Sequence, residues 1–167
     1  MTGKLSYRPM EEGDLKKICT FPQQQEELFF MFPKAVFPLT PDQLKTAAEN
    51  RHDSTVILRD GEIVGFANFY EIEKERYCSI GNVIVNPQLR GRGIGRFLIE
   101  TMEYIGWKKY NVSEFHISCF NTNTKGILLY SKLGYKPYEI EKRFNPKNEP
   151  VALIKLRKVI ESTSFIE

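Results

Sequence analysis

The segment Asn86-Pro87-Gln88-Leu89-Arg90-Gly91-Arg92-Gly93-Ile94-Gly95-Arg96 decides how this chain is read. Before it, Val83-Ile84-Val85 is a continuous apolar run, which suits a strand covered on both faces. After it, Leu98, Met102 and Ile105 recur on one stripe, which predicts a helix over 94–110. The glycine turn therefore joins a strand to a helix N-terminus. Backbone N–H groups there lack intrahelical partners and carry partial positive charge. Gly91, Gly93 and Gly95 remove the Cβ atoms that would keep an anion off that backbone, while Arg90, Arg92 and Arg96 add positive charge. Together they form a cradle for a phosphate or diphosphate. The plainer alternative is a turn that opens a solvated basic helix.

Two nucleotide-binding patterns fail on spacing. A Walker loop requires G-x-x-x-x-G-K-[ST], and no such Lys-Ser/Thr pair follows. A dinucleotide fingerprint requires G-x-G-x-x-G, but Arg96 stands at its last position and the turn follows a late strand.

Outward from the turn, periods of two and of 3.6 alternate. Residues 4–8 read as a strand, and 11–20 as a helix with Asp14 as its N-cap. Residues 21–41 are rich in Phe and Pro. The prolines forbid one long helix but leave a short one over 23–31. Thr40-Pro41-Asp42 reads as a cap with Pro at the first helical position, leading a helix to about Asn50. Strands follow over 54–59 and 62–70, joined by the hairpin turn Asp60-Gly61, and a third spans 76–85. Beyond the central helix come a strand over 114–119, a helix over 124–133 ended by Gly134, and strands over 135–140 and 151–157. The order implies a mixed α/β fold.

Length and composition agree. The chain has 167 residues, with 41% hydrophobic and 27% charged, which excludes a disordered or low-complexity chain. We read residues 1–160 as one domain and 161–167 as a tail. No apolar run approaches the ~20 residues that span a bilayer, and the first residues lack an apolar signal core. Cys19, Cys78 and Cys119 are too scattered for a disulfide framework or a zinc site, so no metal and a reducing cytoplasm are expected. A net charge of +3 is too small to point to nucleic acid.

Arg90-x-x-Gly93-x-Gly95, after an apolar strand end and Asn86-Pro87, resembles motif A of the GNAT superfamily, the acyl-CoA-dependent N-acyltransferases, with its pattern [QR]-x-x-G-x-[GA]. Asn123-x-x-Gly126-x-x-x-Tyr130-x-x-x-Gly134-Tyr135 is similar to the family's motif B, in the same order and about 30 residues later. The likeness covers residues 54–157; the first 50 residues match only in the order of their elements.

The resemblance implies a mostly antiparallel sheet of six to seven strands with helices on both faces, splayed between the fourth and fifth strands. It implies an N-acetyltransferase that passes an acetyl group from acetyl-CoA, as co-substrate, to a primary amine by direct attack in a ternary complex. The amides of Arg90, Gly91, Arg92, Gly93, Ile94, Gly95 and Arg96 would hold the CoA diphosphate. The backbone of Val83, Ile84 and Val85 would lie along the pantetheine arm and polarise the thioester carbonyl. Asn123, by its position a helix cap, would also touch the cofactor. Tyr130 would be the general acid for the departing thiolate, since a phenol with pKa near ~10 is protonated at neutral pH.

Two points stay open. Where many members carry a Glu as base, this chain has Ser79 and Ser118, which leaves Glu71, Glu73, His116 or a water chain. The run 71–76 reads first as a solvated turn, and His116 as a half-exposed strand histidine. The acceptor is a small amine or a peptide N-terminus, with Phe29, Phe30, Met31 and Phe32 either lining its pocket or covering the sheet. Neither nucleic acid nor membrane is expected as a partner, and the chain is a monomer or a homodimer. The competing function is a catalytically weak or inactive acyl-CoA sensor or partner-binding module.

Overall fold

The computed structural model describes residues 3–161 and Phe165. Seven strands form one sheet in the order β1-β2-β3-β4-β5-β7-β6. These are β1 (Leu5–Pro9), β2 (His52–Arg59), β3 (Glu62–Glu73), β4 (Tyr77–Val85), β5 (Glu114–Phe120), β6 (Lys136–Phe144) and β7 (Pro150–Val159). Every neighbouring pair is antiparallel except β4 with β5. The helices are α1 (Leu15–Ile18), α2 (Gln25–Met31), α3 (Pro41–Glu49), α4 (Ile94–Tyr110) and α5 (Thr124–Lys132). The expected tail lies outside the described residues apart from Glu161 and Phe165. The Phe165 ring stacks on Trp107 at 4.9 Å.

Two apolar clusters sit on opposite faces of the sheet. On one, Leu98, Ile99 and Met102 of α4 and Tyr130 and Leu133 of α5 pack against Phe69, Cys78, Ile80, Phe115 and Ile117. On the other, Leu15, Ile18, Leu28 and Leu44 from the first three helices cover Val56, Phe66 and Ile84. Gly106 brings α4 close to β5: a Cβ there would lie 2.5 Å from the Phe115 ring.

Several expectations hold locally. The Thr40 side chain accepts from the Gln43 N–H, with Pro41 at the first helical position. Asp60 and Gly61 both have positive φ, 51° and 84°, which suits a hairpin turn twisted like its strands. Gly134, at φ 97°, follows α5.

The N-terminal helix is a correction. Residues 11–20 split into a 3-10 turn at Glu12–Asp14 and a single α turn at Leu15–Ile18. Asp14 does not cap by its side chain as expected. Its carboxylate instead takes Arg8 at 2.7 and 3.0 Å and the Glu11 N–H at 2.8 Å, and a two-pronged charged bond outcompetes a neutral cap. β3 also runs past Tyr70 to Glu73, so Glu71 and Glu73 are strand residues. The register Glu71↔Ser79 and Glu73↔Tyr77 secures them, and only 74–76 form the turn. The last hairpin is longer than expected at both arms.

The Arg8 bond, against the opposing effect of burial, holds the Asp14 carboxyl below its ordinary value, with the Glu11 N–H assisting. A carboxyl whose folded pKa is depressed stabilises above its unfolded pKa, and that contribution is lost as pH falls through the folded one. Asp14→Asn should therefore lower stability to urea at pH 7 by about 1–3 kcal/mol. The gap to the wild type should close as pH falls below the ordinary carboxylate range.

Candidate active site

β4 and β5 run side by side through only four residue pairs, from Tyr77↔Glu114 to Ile80↔Ile117. Beyond them the strands part. β4 keeps its other neighbour, pairing Ile84 with Phe66 and Val85 with Gly65, but with a bulge around Asn82, whose φ is 51°. Asn82 is buried and tied on both sides. Its carbonyl accepts from Asn68 at 2.9 Å, and its amide donates to the Met31 carbonyl at the end of α2 at 2.9 Å. On the other arm, Phe120 of β5 stacks on Phe29 of α2 at 4.2 Å. Phe29 and Met31 are thus buried against the sheet, while Phe30 and Phe32 are half-exposed.

The glycine turn lies at one arm's tip. Gly91 and Gly93 have φ of 78° and 83°, and a Cβ on either would meet nothing within 4 Å, so the space above that backbone is open. Gly93 occupies the N-cap of α4 and offers no side-chain cap, which leaves the first-turn N–H groups for another acceptor. A Cβ on Gly95 would lie 2.9 Å from Leu129 of α5 and 4.0 Å from Val85, so α4, α5 and the β4 end converge here. The Ile94 side chain is buried in the α4 cluster, and Ile84 in the opposite one. Val83 and Val85 are partly buried beside α4.

The three arginines have different fates. Arg90 is bound to Glu27 of α2 at 2.7 Å, and Arg96 pairs with Glu100 one helical turn on. Arg92 has no ion-pair partner among the described residues, which leaves it as the mobile cation of the turn. Burial raises the Glu27 carboxyl, but the Arg90 bond, the Gln23 N–H and the charges of Arg90 and Lys125 outweigh it and hold it low. Asn123 caps α5 by accepting from the Gly126 N–H at 3.1 Å.

Tyr130 sits inside α5 with 6% exposure. Burial, with Cys119 adding to it, pushes its phenol well above the ordinary value. Its hydroxyl makes no hydrogen bond among the described residues. Tyr130 belongs to the apolar cluster on the α4 side, and Cys119 lies on β5 past the last pair shared with β4.

The opposite face of the fork carries polar groups. Ser79 is buried and donates to Glu71 at 3.4 Å across the β3–β4 pair. Burial and then contact with Glu71 raise the phenol of Tyr77. His116, opposite Ser79 on β5, stacks on Tyr77 at 4.3 Å, and its Nε2 is 2.6 Å from Glu114. Neither the strand position of Glu71 nor Arg51, described below, stood out in the sequence. The signal for Glu71 was its register with Ser79, which a strand extended past Tyr70 would have exposed.

Residues 20–135 match the family model described as the Acetyltransferase (GNAT) family. The chain belongs to the GNAT acetyltransferase family. Spermidine N(1)-acetyltransferase of Escherichia coli (strain K12) is 21% identical over 134 residues, 78% of this chain and 72% of that protein. Among solved GNAT structures, spermidine N-acetyltransferase from Vibrio cholerae in complex with CoA and spermine superposes with a TM-score of 0.77 at 19% identity, covering 93% of this chain and 95% of that one. Ribosomal-protein-S18-alanine N-acetyltransferase from Escherichia coli gives 0.71 at 17%, covering 95% of each. The seven-stranded sheet splayed between β4 and β5 is the GNAT fold. No helix among the described residues is long and apolar enough to cross a membrane.

Gly93→Ala isolates the backbone conformation of this GNAT turn, since the added methyl meets nothing. It should cost about 1–2 kcal/mol, seen as a drop in thermal midpoint of roughly 2–8 °C.

Proposed function

We propose that this chain is an N-acetyltransferase that moves an acetyl group from acetyl-CoA to a primary amine by direct attack within a ternary complex. The observation that carries the reading is the fork itself. Two parallel strands part after four pairs, beside an uncapped helix start with open glycines, and a buried phenol lies in the cluster on the α4 side. The residues present fit a CoA ligand: backbone N–H groups from Gly91 to Arg96 suit a diphosphate, with Arg92 free to approach it. The diverging edges of β4 and β5 offer unpaired backbone groups to an amide-bearing arm. When bound, acetyl-CoA supplies an activated acyl carbonyl and a thiolate leaving group.

The chain's own groups then divide the work. A backbone N–H in Val83, Ile84 or Val85 polarises the carbonyl. Tyr130 holds its phenol proton at neutral pH and donates it to the departing sulfur. Glu71, aligned with Ser79 at the closed end of the fork, takes the proton from the attacking amine, directly or through one water. It restores the carboxylate that Ser79 lacks. The likeness to proteins named spermidine N(1)-acetyltransferase and ribosomal-protein-S18-alanine N-acetyltransferase supports an amine acceptor. The cytoplasm, with its reduced thiols, is the setting we propose; burial pushes Cys78 and Cys119 up to about 12.

Free-thiol release from acetyl-CoA with an amine panel tests this. CoA bound without release above background for any amine would instead indicate a sensor. Tyr130→Phe should lower kcat by about 10²–10⁴-fold with CoA affinity retained. Unchanged kcat would remove Tyr130 from the mechanism. Glu71→Gln should lower kcat/KM by about 10²-fold or more near neutral pH, with the loss shrinking as pH rises and more of the amine is already neutral.

A further inference from the structure

Arg51, between α3 and β2, stands out among the cations of this molecule. Its guanidinium is half-buried and lies 5.5 Å from the Tyr70 ring. One nitrogen donates to the Asn68 side-chain oxygen at 3.2 Å. Arg8, Arg90, Arg96 and Arg143 each meet a carboxylate. Arg51 meets none within ion-pair distance among the described residues. Burial lowers its pKa without a carboxylate to offset it. A guanidinium presents five donors, so most of its binding capacity is unspent.

Its position is specific. A Cβ on Gly81 would lie 2.6 Å from the Arg51 guanidinium and 2.7 Å from Tyr70. The glycine makes room for the cation to lie flat on β4. Gly81 is the first residue beyond the last β4–β5 pair, and Asn68, which holds Arg51, also holds Asn82 of the bulge. The charge therefore sits where the fork begins to open, on the face that carries Glu71 and Ser79.

We infer that Arg51 binds a carboxylate carried by the acceptor amine, so that the substrate class is amino acids rather than polyamines. This rests on the acetyltransferase reading. Glu71 and Ser79 mark one row across the strands and Gly81 the next same-face row, about 7 Å along the strand. An amine and a carboxylate on the same or adjacent carbons bridge that spacing, with one hydrogen bond at each end. The planar fork of donors matches a carboxylate in two-pronged fashion. An unneutralised cation also repels a second or third ammonium group, which selects against a polyamine.

The test uses the intact protein with CoA present, and calorimetric titration of each standard amino acid, its carboxamide and spermidine. At least one amino acid should bind about 10–100-fold tighter than its amide, and tighter than spermidine. Arg51→Gln should collapse that acid-to-amide ratio toward one, and Arg51→Lys should retain part of it. No acid-over-amide preference for any pair, a preference for spermidine, or an unchanged ratio in a folded Arg51→Gln overturns the inference. Titration of CoA alone into the wild type reads the acetyltransferase assignment separately. CoA binding without acid preference defeats only the carboxylate site, whereas absent CoA binding defeats the assignment itself.

Discussion

The parting of β4 from β5 is the constraint on which the remaining structure depends. A parallel pair is ordinarily continued for the length of its strands, because every buried N–H and C=O needs a partner. Here pairing stops after Ile80↔Ile117 while both strands continue. The cost of an unsatisfied buried backbone group, about 1–3 kcal/mol, is avoided only if something else pairs there. Two wedges hold the opening. Asn68, Asn82 and the Met31 carbonyl form a hydrogen-bonded chain that fixes the bulged arm to α2. The Phe29–Phe120 stack fixes the other arm to the same helix. α2, only seven residues long, thus works as a spacer between strands that would otherwise close.

The same helix reaches the glycine turn through Glu27. Its bond to Arg90 spends one of the three arginines on architecture, and Arg96 spends a second on an exposed pair worth little in stability. On the proposed reading, the turn's affinity for an anion would therefore come mainly from oriented backbone N–H groups, with Arg92 as its adjustable part. This division makes physical sense. Backbone dipoles are already in place and lose no side-chain entropy on binding, whereas three free arginines would each have to be ordered.

Much of the architecture was legible because it is written in local chemistry. Thr40-Pro41, Asp60-Gly61, Gly134 and the stripe on α4 each force one backbone outcome from residues within a few positions. The two motifs placed the glycine turn and Tyr130 through their resemblance to a family. What stayed hidden depends on partners distant in sequence. Asp14 looked like a cap until Arg8 on β1 claimed its carboxylate. The charged run 71–76 looked like a turn because its strand half exposes both carboxylates, and only pairing with β4 makes it a strand. Arg51 belongs to no motif. Its meaning arises from a glycine thirty residues away and from having no ion-pair partner among the described residues, neither of which has a sequence period.

The division of polar groups between the two faces bears on why the fork must exist for the proposed chemistry. Tyr130 belongs to the cluster on the α4 side, while Glu71, Ser79 and Arg51 lie on the face of the first three helices. A continuous sheet would separate a proton donor from a proton acceptor by its own thickness. Only where β4 and β5 diverge can one reacting carbon be reached from both sides. On the proposed reading, the arrangement would also let a serine stand where the resemblance leads one to expect a glutamate. Neighbouring strands lie about 4.8 Å apart, so a carboxylate on β3 in register with Ser79 occupies nearly the space that a longer side chain on β4 would fill. Acid and base therefore need not share a strand, only a common opening, and the bulge at Asn82 with its chain of amides is what keeps that opening available.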